Sequence, residues 1–135
     1  LAIRFKNMVR STKPVKQRVK RTKAGRQWTK ARYFQFIRSA LRQAFQRYPV
    51  KQKVLNDNRK NVTGKRHKFE YICAKCEKWF DRKGVEVDHI QPCGSLNDYK
   101  DLPGFVRRLF CEPKDMQILC KECHQEKTNK ERKKR

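Results

Sequence analysis

Two cysteine pairs, Cys73-x-x-Cys76 and Cys120-x-x-Cys123, constrain this chain more than any other feature. Two intervening residues let one tight turn aim both thiolates at a single ion about 2.3 Å away, and two such turns complete a tetrahedron. The spacing therefore predicts a structural zinc site that pins two segments together across the 43 residues between Cys76 and Cys120. Four closed thiolate positions leave no place for a reacting water, so this zinc is expected to brace the fold rather than catalyse. The competing readings are redox-active pairs or ordinary buried thiols. Cys93 and Cys111 lie outside the pair spacing and read as buried free thiols.

Such a staple suits what surrounds it. The chain has 135 residues, 36% hydrophobic and 37% charged, so part of it is expected not to bury enough apolar surface to fold alone, and a large multidomain enzyme is not expected. A small core of this kind needs a cross-link or a metal. The 37 Lys and Arg against 13 Asp and Glu give a net charge of +24, which calls for an anionic partner: nucleic acid or an acidic membrane surface. No apolar run approaches the roughly 18 to 20 residues of a membrane span, and LAIRFKNMVR lacks the apolar stretch of a secretory signal, so a soluble cytoplasmic protein is expected.

The charge is unevenly spread: residues 1–56 hold 17 Lys and Arg and no acid. Residues 1–25 show no apolar period and read as a flexible basic arm. Residues 26–68 read as a helix and a linker, the linker with a short helical continuation within residues 50–68. Trp28, Ala31, Phe34, Ile37, Leu41, Ala44, Phe45 and Tyr48 recur every three or four residues, predicting an amphipathic helix from Gln27 to Tyr48 that Pro49 ends. Arg38, Arg42 and Arg47 lie elsewhere on its circumference and are candidate contacts to a duplex. Residues 69–131 read as the compact core and 132–135 as a basic tail. Within the core, FEYICAKCEKWF predicts two short strands joined by the first cysteine turn, and VEVDHI a half-buried strand. FVRRLF reads as a short helix, and a last helix is expected from Gln117 or Ile118. His67 has no partner at ligand spacing.

Between the cysteine pairs sits Asp88-His89, and directly after the second pair sits His124. A carboxylate and a neutral imidazole suit a divalent ion, while a second imidazole can take a proton from water, a hydrolytic arrangement in outline. Because Cys120 and Cys123 would fix the first turn of the last helix, His124 would be held rigidly beside them.

VDHI followed by DMQILCKECHQEKT closely resembles the HNH endonucleases of the ββα-metal class, in the subgroup braced by two Cys-x-x-Cys turns. RYFQFIRSALRQAFQRYP, YICAKCEKWF, VEVDHIQPCGSL and RRLFC extend the likeness to small phage-type members over residues 30–130. The resemblance implies an α+β fold with a ββα-metal core. It implies His89 as the general base, Asp88 and His124 as ligands of one catalytic Mg²⁺ or Mn²⁺, and products with a 5′-phosphate and a 3′-hydroxyl. Lys127 is then either a contact to the phosphate backbone or a solvated helix lysine. One departure stands out: Asp115 occupies the place of the family's middle Asn. An ionised Asp accepts but does not donate, so Asp115 either orients the general-base loop poorly or binds metal more strongly.

Two functions follow. The first is a metal-dependent endonuclease of double-stranded DNA, phage or mobile-element encoded, acting as monomer or dimer by nicking or double-strand cleavage. The alternative is a zinc-stapled DNA-binding accessory without catalysis.

Overall fold

The structure, a computed structural model, describes residues 13–134. The first 12 residues of the expected basic arm, and Arg135, lie outside the described residues. Lys13–Lys20 run without regular structure, and the arm then ends in a small hairpin rather than continuing unstructured to residue 25. Strands β1 (Arg21–Lys23) and β2 (Trp28–Thr29) pair antiparallel around a turn in which Ala24, Gly25 and Arg26 all take positive φ.

Helix α1 (Lys30–Phe45) starts later than the periodicity predicts. Thr29 caps it, accepting from the Arg32 N–H at 3.2 Å, and so places Trp28 in β2 rather than in the helix. Phe34 and Phe45 are buried, with Ile37 and Leu41 packed against the same core, whereas Ala31 is exposed. Pro49 does not merely stop α1. It opens α2 (Pro49–Asp57) from the first-turn position, where its missing N–H leaves no bond unmade. The segment expected as linker thus supplies Val54 and Leu55 to the core and then β3 (Arg59–Asn61).

β3 pairs with β4 (Phe69–Ile72), which pairs with β5 (Trp79–Phe80), all antiparallel. The first cysteine turn lies between β4 and β5 as expected, tightened by the Glu77 N–H on the Cys73 carbonyl at 3.0 Å. After a single 3-10 turn come β6 (Val85–His89), α3 (Leu102–Leu109), β7 (Met116–Cys120) and α4 (Lys121–Lys133). β6 and β7 form their own antiparallel sheet, in register from Val85↔Cys120 to His89↔Met116. The stretch expected to begin the last helix is therefore the strand β7, and the helix begins at Lys121. The physical reason is double burial. Ile118 enters the main core, and Leu119, pointing the other way, packs with the cysteines. A strand covered on both faces shows an apolar run instead of alternation.

The fold class is α+β: among the described residues, four helices surround three small sheets. The main core gathers Phe34, Phe45, Leu55, Leu96, Phe105, Leu109 and Ile118. Cys93 and Cys111 are buried and unpaired in its margin, and burial raises both thiol pKa values. No helix among the described residues is long and apolar enough to cross a membrane.

Candidate functional site

The thiolates of Cys73, Cys76, Cys120 and Cys123 converge, their Sγ atoms all within 4.8 Å of one another. Bonds of about 2.3 Å to a tetrahedral zinc require sulfurs about 3.8 Å apart. The Cys76 and Cys120 Sγ atoms lie 3.9 Å apart, so the four residues fit that ion in donor type, number and spacing. Local backbone builds the cage. The Ala74 N–H bonds the Ile118 carbonyl at 2.8 Å, laying the first cysteine turn on the outer edge of β7. The Cys120 thiolate caps α4, accepting from the Cys123 N–H at 3.4 Å.

The electrostatics of the cage favour a cation there. Burial opposes ionisation of Cys73, but the N–H groups of Cys120, Cys76 and Lys75 outweigh it and lower the thiol to about 6. Cys123 is driven up to about 12 by its hydrogen bond with Cys120, by burial and by the neighbouring sulfurs. One thiolate is ready to form, and four together need a positive ion between them.

The second constellation lies along the free edge of β6. Glu86 and Asp88 project from the face that α4 covers; Val85, Val87 and His89 project from the face on the main core. Because β6 is an edge strand, residues from both faces reach the cleft running beside it, a cavity of about 710 Å³. Asp88, His89 and His124 all line this cleft, so the three residues singled out in the sequence come together.

His89 is oriented by α3. The last carbonyls of a helix have no partner within it, and that of Leu109 accepts from His89 Nε2 at 2.9 Å. This bond fixes the proton on Nε2 and leaves the lone pair on Nδ1. Phe45 packs against the ring, centroids 4.9 Å apart. Asp88 is held at its other oxygen: Oδ2 accepts from Gln117 Nε2 at 3.1 Å and faces Lys127 Nζ at 3.0 Å. Its Oδ1 lies 3.5 Å from His124 Nε2. Neighbouring ligands on one ion with bonds near 2.1 Å sit about 3.0 to 3.4 Å apart, so this N,O pair fits a small divalent cation with slight closure.

Glu86, which the sequence reading did not single out, lies with Oε2 3.4 Å from His124 Nδ1. Asp88 meets the other ring nitrogen at a similar distance, so the imidazole lies between two carboxylates. The signal was present in the sequence: Glu86 and Asp88 are two apart on one strand and must share a face.

Two expected roles change. The Lys127 ammonium is engaged inside the fold, donating to the His89 carbonyl at 2.9 Å and pairing with Asp88 at 3.0 Å and Glu131 at 2.6 Å. Burial alone would lower its pKa; the contacts to Glu131 and Asp88 outweigh that and raise it. It is a latch between α4 and the end of β6 rather than a free phosphate contact. Asp115 is not in the cleft. Its side chain is exposed beside a second cavity with Gln91, Arg107 and Arg108, and its backbone carbonyl accepts from the N–H of Ile90, next to His89, at 3.0 Å. Any main-chain hold on the His89 loop from this position is thus independent of the Asn-to-Asp difference.

Of the arginines on α1 and its exit, Arg42 opens on the cleft, while Arg38 and Arg47 are not among its lining residues. The other cations there are Lys51, Arg82, Lys83 and Lys121, which the periodicity of α1 did not reveal. Comparison of the chain with protein-family models, curated proteins and solved structures finds no match.

Proposed function

We propose that the chain is a metal-dependent DNA endonuclease of the HNH type, with β6, β7 and α4 as its ββα-metal core. The observation that carries this reading is one juxtaposition: His89, its Nε2 held by the Leu109 carbonyl, lines the same cleft as an Asp88–His124 pair spaced for one ion. Arg42, Lys51, Arg82, Lys83 and Lys121 ring the same cleft and would hold a polyanionic backbone. His89 then takes a proton from the attacking water at Nδ1, while its Nε2–H stays on the Leu109 carbonyl and keeps the ring aimed. Asp88 and His124 would hold the divalent ion, Mg²⁺ or Mn²⁺, whose charge stabilises the phosphoryl oxygens during hydrolysis. Cys73, Cys76, Cys120 and Cys123 would hold a zinc that fixes α4, and with it His124, against β7.

The alternative, a zinc-stapled DNA-binding accessory, draws on one feature: the Lys127 ammonium already sits on Asp88 and offsets part of the negative charge a metal would require. A supercoiled-plasmid assay separates the two. The wild type is expected to nick plasmid in Mg²⁺ or Mn²⁺, and His89→Ala to lose roughly 10²- to 10⁴-fold in rate while shifting DNA in a gel as the wild type does. Plasmid left intact across a panel of divalent ions, with DNA still bound, would make the accessory reading the correct one.

A further inference from the structure

On the side of α1 turned to solvent, the hairpin of β1 and β2 makes a second basic surface that the cleavage chemistry does not use. Phe36 is 58% exposed there, and its ring lies 5.1 Å from that of Trp28 at a tilt of 54°. A single exposed aromatic is ordinary. This one is not alone, because two adjoining concavities of about 540 and 520 Å³ meet at Trp28 and Arg32. The first is lined by Trp28, Arg32, Gln35 and Phe36, the second by Arg21, Arg26, Trp28 and Arg32, and neither lining includes a carboxylate. The Arg32 guanidinium already rides 5.0 Å over the Trp28 ring.

We propose that Phe36 and Trp28, flanked by Arg21, Arg26 and Arg32, form a binding site for an unpaired nucleotide, the base stacking on the aromatic pair and the adjoining phosphates meeting the arginines. Several chemical features select this occupant. The arginines require an anion, and the acid-free lining places no competing charge among them. An exposed aromatic face adds nothing to phosphate binding but gains stacking energy from any base, and bases in an intact duplex keep their faces covered by their neighbours. Gln35 and Arg32 on the rim offer donors to a base edge without specifying one base. The site lies outside the cleft of Asp88, His89 and His124 and does not rest on the cleavage reading.

The test uses the full zinc-loaded chain without added magnesium or manganese, so that the oligonucleotide stays intact whatever the cleft does. In a Trp79→Phe background Trp28 is the only tryptophan, and a decamer of dT is expected to quench its emission on binding. Phe36→Ala should weaken dT binding about 5- to 150-fold, the loss of one stacked base, and Phe36→Tyr should restore it. Anisotropy of a labelled decamer with otherwise wild-type protein reads the same affinities should the Trp79 change disturb the fold. An abasic decamer of equal charge and a blunt duplex should be indifferent to Phe36→Ala. The proposal is overturned if Phe36→Ala leaves dT affinity unchanged, if it weakens dT, abasic strand and duplex alike, or if a glutamate decamer quenches Trp28 as dT does.

Discussion

The three histidines differ in what meets the ring nitrogen that each could use for holding itself in place. His67 Nε2 lies 3.3 Å from Glu70, whose carboxyl is held below its usual range first by Lys65 and also by His67; this pair ties the start of β4 to the preceding loop. His89 spends Nε2 on a main-chain carbonyl, an acceptor that cannot be protonated away near neutral pH, and so leaves Nδ1 outside that bond. His124 faces Glu86 with one nitrogen and Asp88 with the other. On the proposed reading Glu86 aims His124 without touching the reacting atoms. Glu86→Ala should therefore weaken binding of Mn²⁺ at the cleft about 10- to 100-fold while the cysteine site keeps its zinc. Calorimetric titration of Mn²⁺ into zinc-loaded protein measures this, and equal affinities for variant and wild type would remove Glu86 from the site.

At the scale of elements, the corner between α1 and α2 aligns the cleft wall. Tyr48 closes that corner, its hydroxyl donating to the Cys111 carbonyl at 3.0 Å beyond the end of α3, and burial raises its pKa. Removing the hydroxyl leaves a part-buried carbonyl without this donor, so Tyr48→Phe should cost about 1 kcal/mol, read from urea denaturation of the zinc-loaded protein. No loss would mean that core packing alone holds the corner. The same elements show what a sequence can convey. The cysteine turns and β6 were legible because their signals are local: a fixed spacing and a strict alternation. α2 was legible only as a short continuation, because a proline at a first helical turn looks like a terminator, and β7 was not legible, because a strand buried on both faces looks like the start of an apolar helix. Asp88, His89 and His124 were visible as residue types. Glu86 and the Leu109 carbonyl were hidden, since one depends on which helix covers a face and the other on where a helix ends.

Considered whole, the molecule has a conventional apolar core and, beside it, a smaller cluster built on the four cysteines, which fit a structural zinc. That cluster has Cys73, Leu119, Cys120 and Cys123 buried, with Cys76 and Phe80 packed against them. Helix α4, KECHQEKTNKERK, buries only Cys123. Its other polar ties are the Lys127 latch, the contacts of His124 with Glu86 and Asp88, and a surface pair of Lys75 with Glu126 at 2.8 Å, and an exposed pair of that last kind contributes little. A 13-residue helix is marginal in water by itself, so a zinc bound by the four cysteines would supply much of what keeps α4 docked. Four thiolates on Zn²⁺ carry a local charge of −2 and reduce the chain's +24 to about +22, still ample for a polyanion. Stripping the zinc should then undo the molecule unevenly. Amides of Lys121–Lys133 should lose hydrogen-exchange protection, while those of Lys30–Phe45, anchored by Phe34 and Phe45, keep much of theirs. Cys120→Ser should reproduce the pattern, and adding about one zinc per chain to stripped wild type should reverse it. Because His124 rides on α4 one residue beyond Cys123, plasmid nicking should disappear and return in step with that protection. Helix α4 remaining equally protected without zinc would show that the latch and the helix itself suffice, and the four-cysteine site would lose its role as the brace of the cleft.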